Sequence, residues 1–345
     1  MDFRELISGK RRDPVSVAFR IGLGVLEVPY AAVVAARNVC YDYGLLPVKR
    51  PPIPIVSVGN LTLGGTGKSP MVAWLTQFFL DQGCRPGIIS RGYGQTKGGV
   101  NDEFLELAFR FPMVPHRQNP NRFAAAQDFL SERGADILIL DDAFQHRRIA
   151  RDWDIVLLDA SEPFGFDRIF PRGTLRESLT SLQRADALLL SRADRIAEEE
   201  RHRIRKRVQK FAPDAVWGEI AHIPYSLISP SRQEFGVTEV LGKRVLGFCG
   251  IGNPAAFRAT LERCGAEVVD LVLFPDHHRF TPEDRQRLAK LAARSNVDAA
   301  ICTMKDLVKL GEVDELGTKP LWAVAVQIQF LDGETIFRET LGGLF

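Results

Sequence analysis

The stretch VGNLTLGGTGKSP at residues 58–70 limits what this chain can fold into more than any other. It follows an apolar run, IPIVSVGN (53–60), and opens a helical pattern over 69–82. A strand that ends in a Gly-rich loop and feeds a helix is a phosphate cradle, whose strict pattern is G-x-x-x-x-G-K-[ST]. Gly67, Lys68 and Ser69 close that pattern, but Thr62 stands where its first glycine belongs. Gly64, Gly65 and Gly67 let backbone amides turn toward a phosphate. Lys68 is placed to reach β- and γ-phosphates, and Ser69 to hold Mg²⁺ at the start of the helix. The expected nucleotide-binding residues are Thr62, Leu63, Gly64, Gly65, Thr66, Gly67, Lys68 and Ser69.

Further apolar runs occur at 85–92, 135–142, 153–160 and 185–194, and helical patterns such as 121–133 fall between runs. Near-continuous apolar runs are what strands buried on both faces of a parallel sheet require. The expected fold class is α/β, a P-loop NTPase-type doubly wound, mostly parallel sheet with a second, smaller α/β domain. A charged helix over 195–211 precedes a Ser- and Pro-rich passage at 223–232, read as a boundary or hinge. Strands are then expected at 244–254, 267–278, 297–306 and 320–330, with a helix starting at Thr281 of TPED. The expected boundaries are 1–37 for an N-terminal segment, 38–225 for the kinase-like core and 226–345 for the smaller domain.

Net charge is +2, which offers no bulk electrostatic case for nucleic acid, and none is expected as a partner. Five scattered cysteines without a CxxC pair argue against a disulfide framework and a structural zinc site. Residues 14–36 carry only two charges, Arg20 and Glu27, seven apart and so on one helical face. Lys10, Arg11 and Arg12 precede this stretch and Arg37 follows it. Central charges and Pro29 weaken a spanning helix. An amphipathic segment at a membrane surface and a core helix packed on the first domain both stay open.

ILILDDAFQHRR (137–148) sets Asp141 and Asp142 at a strand end, where open α/β sheets bind ligands. One of the two carboxylates suits Mg²⁺, directly or through water. SRGYG (90–94) with NDE (101–103) is a Gly-rich loop followed by acids. FPDHHRF (274–280) sets Asp276, His277 and His278 after a strand, a proton-handling, phosphate or metal arrangement. FPRGTLRES (170–178) offers Arg172, Arg176 and Glu177, and arginine suits bidentate phosphate contact. SRAD (191–194) is a poor match to guanine-reading motifs, and TMKD (303–306) is a similar short motif in the second half.

Taken in order, SVGNLTLGGTGKSP, SRGYG, NDE, DDAFQHRR, LRES, FPDHHRF and TMKD make the sequence resemble the tetraacyldisaccharide 4'-kinases, the lipid A 4'-kinase or LpxK family. Thr62 then reads as a family trait. The resemblance implies transfer of the ATP γ-phosphate to the 4'-hydroxyl of a tetraacylated glucosamine disaccharide 1-phosphate, with Mg²⁺, at the cytoplasmic face of the bacterial inner membrane. It implies a lipid substrate, a membrane surface met by the N-terminal segment, and a smaller domain that closes around the nucleotide. Carried onto matching positions, Asp102 and His277 are a catalytic base pair and Arg176 a γ-phosphate contact. Ser69, Asp141, Asp142 and Glu177 are metal or water-network candidates, with Asp276 in support and Gln145 and His146 beside the Asp pair. Ser69 replaces a commoner Thr, and Ala143 a usual Gly, a change expected to alter the local turn. Against this enzyme stand two other classes, a P-loop switch NTPase and a nucleotide sensor without turnover.

Overall fold

The apolar runs become parallel strands. The computed structural model describes residues 3–92, 101–276, 278–311 and 315–344. Two units are formed: one from 1–91, 114–221 and 329–345, the other from 92–113 and 222–328. This departs from the contiguous division expected at 225/226. The segment 92–113 belongs with the second unit because its helix packs there, and the C-terminal 329–345 returns to the first.

In the first unit the strands are β1 (Ile55–Asn60), β2 (Pro86–Ser90), β3 (His116–Gln118), β4 (Ile137–Asp141), β5 (Trp153–Asp159), β6 (Ala187–Ser191) and the start of β7 (Val216–Ile228). Their order is β7-β6-β5-β1-β4-β2-β3, with every neighbouring pair parallel. β1 therefore lies between β4 and β5, where the chain's path through the sheet reverses, the usual ligand position in such sheets. β1, β2 and β4 are buried throughout, which explains their lack of apolar/polar alternation. The helices of this unit are α1 (Phe3–Ile7), α2 (Pro14–Asp42), α3 (Lys68–Asp81), α5 (Arg122–Ser131), α6 (Glu198–Val208) and α10 (Glu334–Gly342). Leu61, Phe144, Leu158, Leu188, Ile204 and Val208 are among the residues of one core cluster.

The second unit holds α4 (Asp102–Arg110), the rest of β7, β8 (Glu234–Gly236), β9 (Arg244–Cys249), β10 (Glu267–Leu273), β11 (Ala299–Thr303), β12 (Glu315–Leu316) and most of β13 (Lys319–Asp332). The parallel order is β10-β9-β11-β13, and the helices are α7 (Pro254–Arg263), α8 (Pro282–Arg294) and α9 (Met304–Leu310). Thr281 caps α8 with a full capping box shared with Asp284, as TPED predicts. The passage at 223–232, read as a boundary or hinge, begins just past 221/222, where the chain enters the second unit, and contains the end of β7, paired antiparallel with β8 through Ser226, Leu227 and Ile228. Pro224 and the serines obscured that strand.

Asp13 starts α2, accepting from the Ser16 amide at 2.9 Å and its hydroxyl at 2.6 Å. The docked face of α2 is the polar one. Glu27 accepts from the Ile169 amide at 2.8 Å, and Tyr30 donates to the Arg176 carbonyl at 3.3 Å. Arg37 donates to the Gln145 carbonyl at 2.6 Å, and Asn38 to Glu177 at 2.7 Å. Val25, Leu26, Val28 and Val33 are each more than half exposed. The core-helix reading is therefore overturned: the most apolar window of α2 has none of its residues buried in the protein, and the helix is long and apolar enough to cross a membrane.

Candidate functional site

The loop after β1 is built so that its backbone, not its side chains, faces outward. Thr62 pairs with Leu175 in an antiparallel bridge, the Leu63 amide donates to the Thr174 carbonyl at 2.7 Å, and the Arg176 amide to the Leu61 carbonyl at 2.8 Å. A β-branched residue suits that extended position, so no glycine is needed there. The left-handed turns come later, at Gly64 (φ 118°) and Gly67 (φ 90°), the latter immediately before α3. At Gly59 a side chain is excluded, because a Cβ would stand 2.5 Å from that of Phe144. Inside the loop Asn60, fully buried, donates to the Thr62 carbonyl at 2.7 Å and lies 3.4 Å from the Lys68 ammonium. Sequence reasoning passed over Asn60, whose polar position at a buried strand end was the available signal. The Thr66 hydroxyl is buried without a hydrogen-bond partner, a donor the folded protein leaves for something else.

Lys68 Nζ is 3.6 Å from Asp142 Oδ1, and Arg176 meets the same oxygen at 2.9 Å. Burial pushes the Asp142 carboxyl up, but Lys68 and Arg176 outweigh it and hold the group below its ordinary range. Asp142 adopts a left-handed backbone (φ 48°), so the turn that carries it falls at 142 and not at 143. Ala143 is fully buried at ordinary φ, which removes the expected effect of a methyl there on the turn. Asp141 is the last residue of β4, 2% exposed and in register with Val58 of β1. Ser69 is 5% exposed in the first turn of α3.

Glu177, expected as a metal or water-network candidate, sits within a network of side-chain donors. It is 1% exposed and accepts from Asn38 at 2.7 Å, Ser181 at 2.8 Å, Arg184 at 2.9 Å and Gln145 at 3.0 Å. Burial would raise its pKa, yet Arg184 and these donors hold it low. Four donors occupy the carboxylate, so it ties α2 to the loop that carries Arg176 rather than facing a ligand. Gln145 also donates to the Asn60 carbonyl at 3.0 Å and accepts from Arg176 at 3.2 Å. Arg192 of SRAD pairs with Asp159 and donates to the Gly65 carbonyl at 2.9 Å, so it braces the loop instead of reading a base. Arg122, overlooked in the sequence, is 2% exposed, its Nε without a partner. Burial, with Arg91 alongside, pulls it down to about 10, against Asp142 and Asp141. His146 is neutral, lowered to about 4 by burial and then by Arg122 and Arg151.

In the second unit Asn101 caps α4 by accepting from the Phe104 amide at 2.9 Å, which makes Asp102 the first helical residue. Asp102 Oδ2 is 3.3 Å from Lys309 Nζ. Asp306 of TMKD is fully buried and accepts from the Gly250 amide at 3.1 Å and the Thr303 hydroxyl at 2.6 Å, so it organises this unit's loops. His278 stacks on Phe274 and meets Asp284 at 2.8 Å through Nε2. His277 and Tyr93–Gly94 of SRGYG lie outside the described residues. Among the described residues no three His, Cys, Asp or Glu side chains gather as a metal cluster.

A family model described as LpxK, tetraacyldisaccharide-1-P 4'-kinase, matches residues 19–344. A tetraacyldisaccharide 4'-kinase of Anaeromyxobacter dehalogenans (strain 2CP-C) is 38% identical over 87% of this chain and 84% of its own. That of Syntrophus aciditrophicus (strain SB) is 36% identical over 89% of this chain and 88% of its own. A crystal structure of LpxK from Aquifex aeolicus in complex with ATP aligns with TM-score 0.75 and 27% identity, covering 95% of this chain and 99% of that one.

Proposed function

Because the chain belongs to the tetraacyldisaccharide-1-P 4'-kinase family and is an ATP-dependent lipid A 4'-kinase, we propose how its own residues carry out the transfer. The observation that carries this reading is the Lys68–Asp142–Arg176 triangle beside a loop with an unpartnered Thr66 hydroxyl. Asp142, held ionised, keeps two cations oriented before any substrate arrives, and preorganised charge is the main tool of phosphoryl transfer. The amides of 64–68 and the Thr66 hydroxyl receive the β- and γ-phosphates of ATP. Arg176, with Arg122 nearby, offsets negative charge on the transferred group.

Ser69, in the first turn of α3 after β1, and Asp141, at the end of the neighbouring strand β4, offer the hard oxygen donors that Mg²⁺ takes, so they fit the ion. When bound, Mg²⁺ supplies neutralisation of phosphate oxygens. Asp142 is engaged by cations and Glu177 is saturated, so neither is assigned to the metal. Asp102, with His277, accepts the proton of the 4'-hydroxyl as its oxygen attacks the γ-phosphorus and the bond to the β–γ bridging oxygen breaks. ADP leaves with that oxygen. The exposed apolar face of α2 lies in the membrane that holds the lipid substrate, with the exposed Lys10, Arg11 and Arg12 before it on anionic headgroups. The test is steady-state transfer in detergent micelles with Asp102→Asn. General-base removal predicts a loss of about 10²–10⁴-fold in kcat, and a wild-type rate in that variant overturns the assignment.

A further inference from the structure

We propose that Lys309 is the positioning residue of the candidate base, gripping one oxygen of Asp102 so that the other is presented to the acceptor hydroxyl. The inference rests on the reading of Asp102 as base. Lys309 Nζ lies 3.0 Å from Asp306 Oδ1 and 3.3 Å from Asp102 Oδ2, and its side chain is only 6% exposed. Its place is fixed from behind. Thr303 caps α9, the Asp306 carboxylate folds back onto the Thr303 hydroxyl and the Gly250 amide through Oδ2, and Oδ1 is left for Lys309 one turn on. Asp306 is therefore immobile, and the ammonium it anchors has little freedom to leave Asp102.

The Lys309 ammonium is buried without a hydrogen bond of regular geometry, so Asp306 alone does not satisfy it. The second contact ties α9 to the first turn of α4, where helix amides also favour negative charge. The charged groups around Asp102 are Glu103, Glu106 and Arg110 on α4, and Lys305, Asp306 and Lys309 on α9. Lys305 is 3.8 Å from Glu103. Burial, despite Lys305, raises Glu106, with Glu103 and Asp102 pushing the same way, so the carboxylates crowd one another, and Lys309 meets Asp102 from α9. Lys309 thus sets the direction in which Asp102 faces.

The experiment uses the full chain with Mg-ATP and tetraacyldisaccharide 1-phosphate in micelles. Lys309→Met/Asp306→Asn removes both buried charges together and avoids an orphaned one. We expect it to melt close to the wild type, keep its KM for ATP and lose at least about tenfold in kcat. Lys309→Arg should restore most of the rate, with KM for ATP unchanged. Lys309→Gln, which keeps reach without charge, gives the same reading should the double variant fold poorly. A folded double variant, or Lys309→Gln, with wild-type kcat, alongside an inactive Asp102→Asn, overturns the role of Lys309. An active Asp102→Asn instead removes the base assignment and this inference with it.

Discussion

Lys68 and Glu177 show how two charged residues close in space answer different demands. Lys68 has a partner it can share, since Asp142 also binds Arg176. Lys68→Ala is expected to lower transfer by about 10²–10³-fold, the usual cost of losing a charge-stabilising donor, with melting little changed. Thermal unfolding alongside the kinase rate checks both halves. Glu177 has four donors and no free face. Glu177→Gln leaves Arg184 without its anion, and breaking such a buried pair costs about 3–5 kcal/mol. Denaturant melts should register that loss, while KM for ATP in the remaining folded protein stays near wild type. A raised KM with unchanged stability would return Glu177 to the ligand site. The sequence put both residues near phosphate chemistry. It offered no means of separating them, because the partners of Glu177 include Asn38, which reaches it only when α2 docks.

At the scale of elements, the strands and the loop–helix junction were legible because burial on both faces leaves long apolar runs and because Gly67-Lys68-Ser69 is rare by chance. β7 was not, since Pro224, Ser226 and Ser229 mimic a turn until β8 is known to pair with it. Residues 92–113 looked like part of the first domain, and only the packing of α4 against α9 assigns them otherwise. α2 was half legible: its charges share a face, but whether that face is bound or wet depends on partners such as Ile169 and Gln145. With the polar face docked, replacing exposed Val25, Leu26 and Val28 with Asp should leave the fold intact. Each substitution forfeits about 1.5 kcal/mol of apolar burial in lipid, so sedimentation with anionic vesicles should fall by well over tenfold. Unchanged sedimentation would place the membrane contact on another element.

For the whole molecule, stability is expected to fall as pH drops from 6.5 toward 4. His116, lowered to about 4 by burial, and His146 are neutral in the native state, while the unfolded chain protonates near 6.5. Their contribution is complete above 6.5 and is lost progressively down to about 4; below 4.5 Glu177, held low, adds to the decline. Buried Asp154, raised by desolvation against Arg151, runs the opposite way, losing stability as pH rises through its elevated pKa. Melting temperatures across pH 4–7 should therefore slope upward, and His116→Gln should flatten the upper part of that slope. The chemistry is tested most directly by transfer of labelled γ-phosphate from ATP to tetraacyldisaccharide 1-phosphate in micelles, with and without Mg²⁺. Labelled 4'-phosphorylated lipid formed only with Mg²⁺, and lost in Lys68→Ala and Asp102→Asn, is the predicted result. Free phosphate without labelled lipid, or full transfer by either variant, would contradict it.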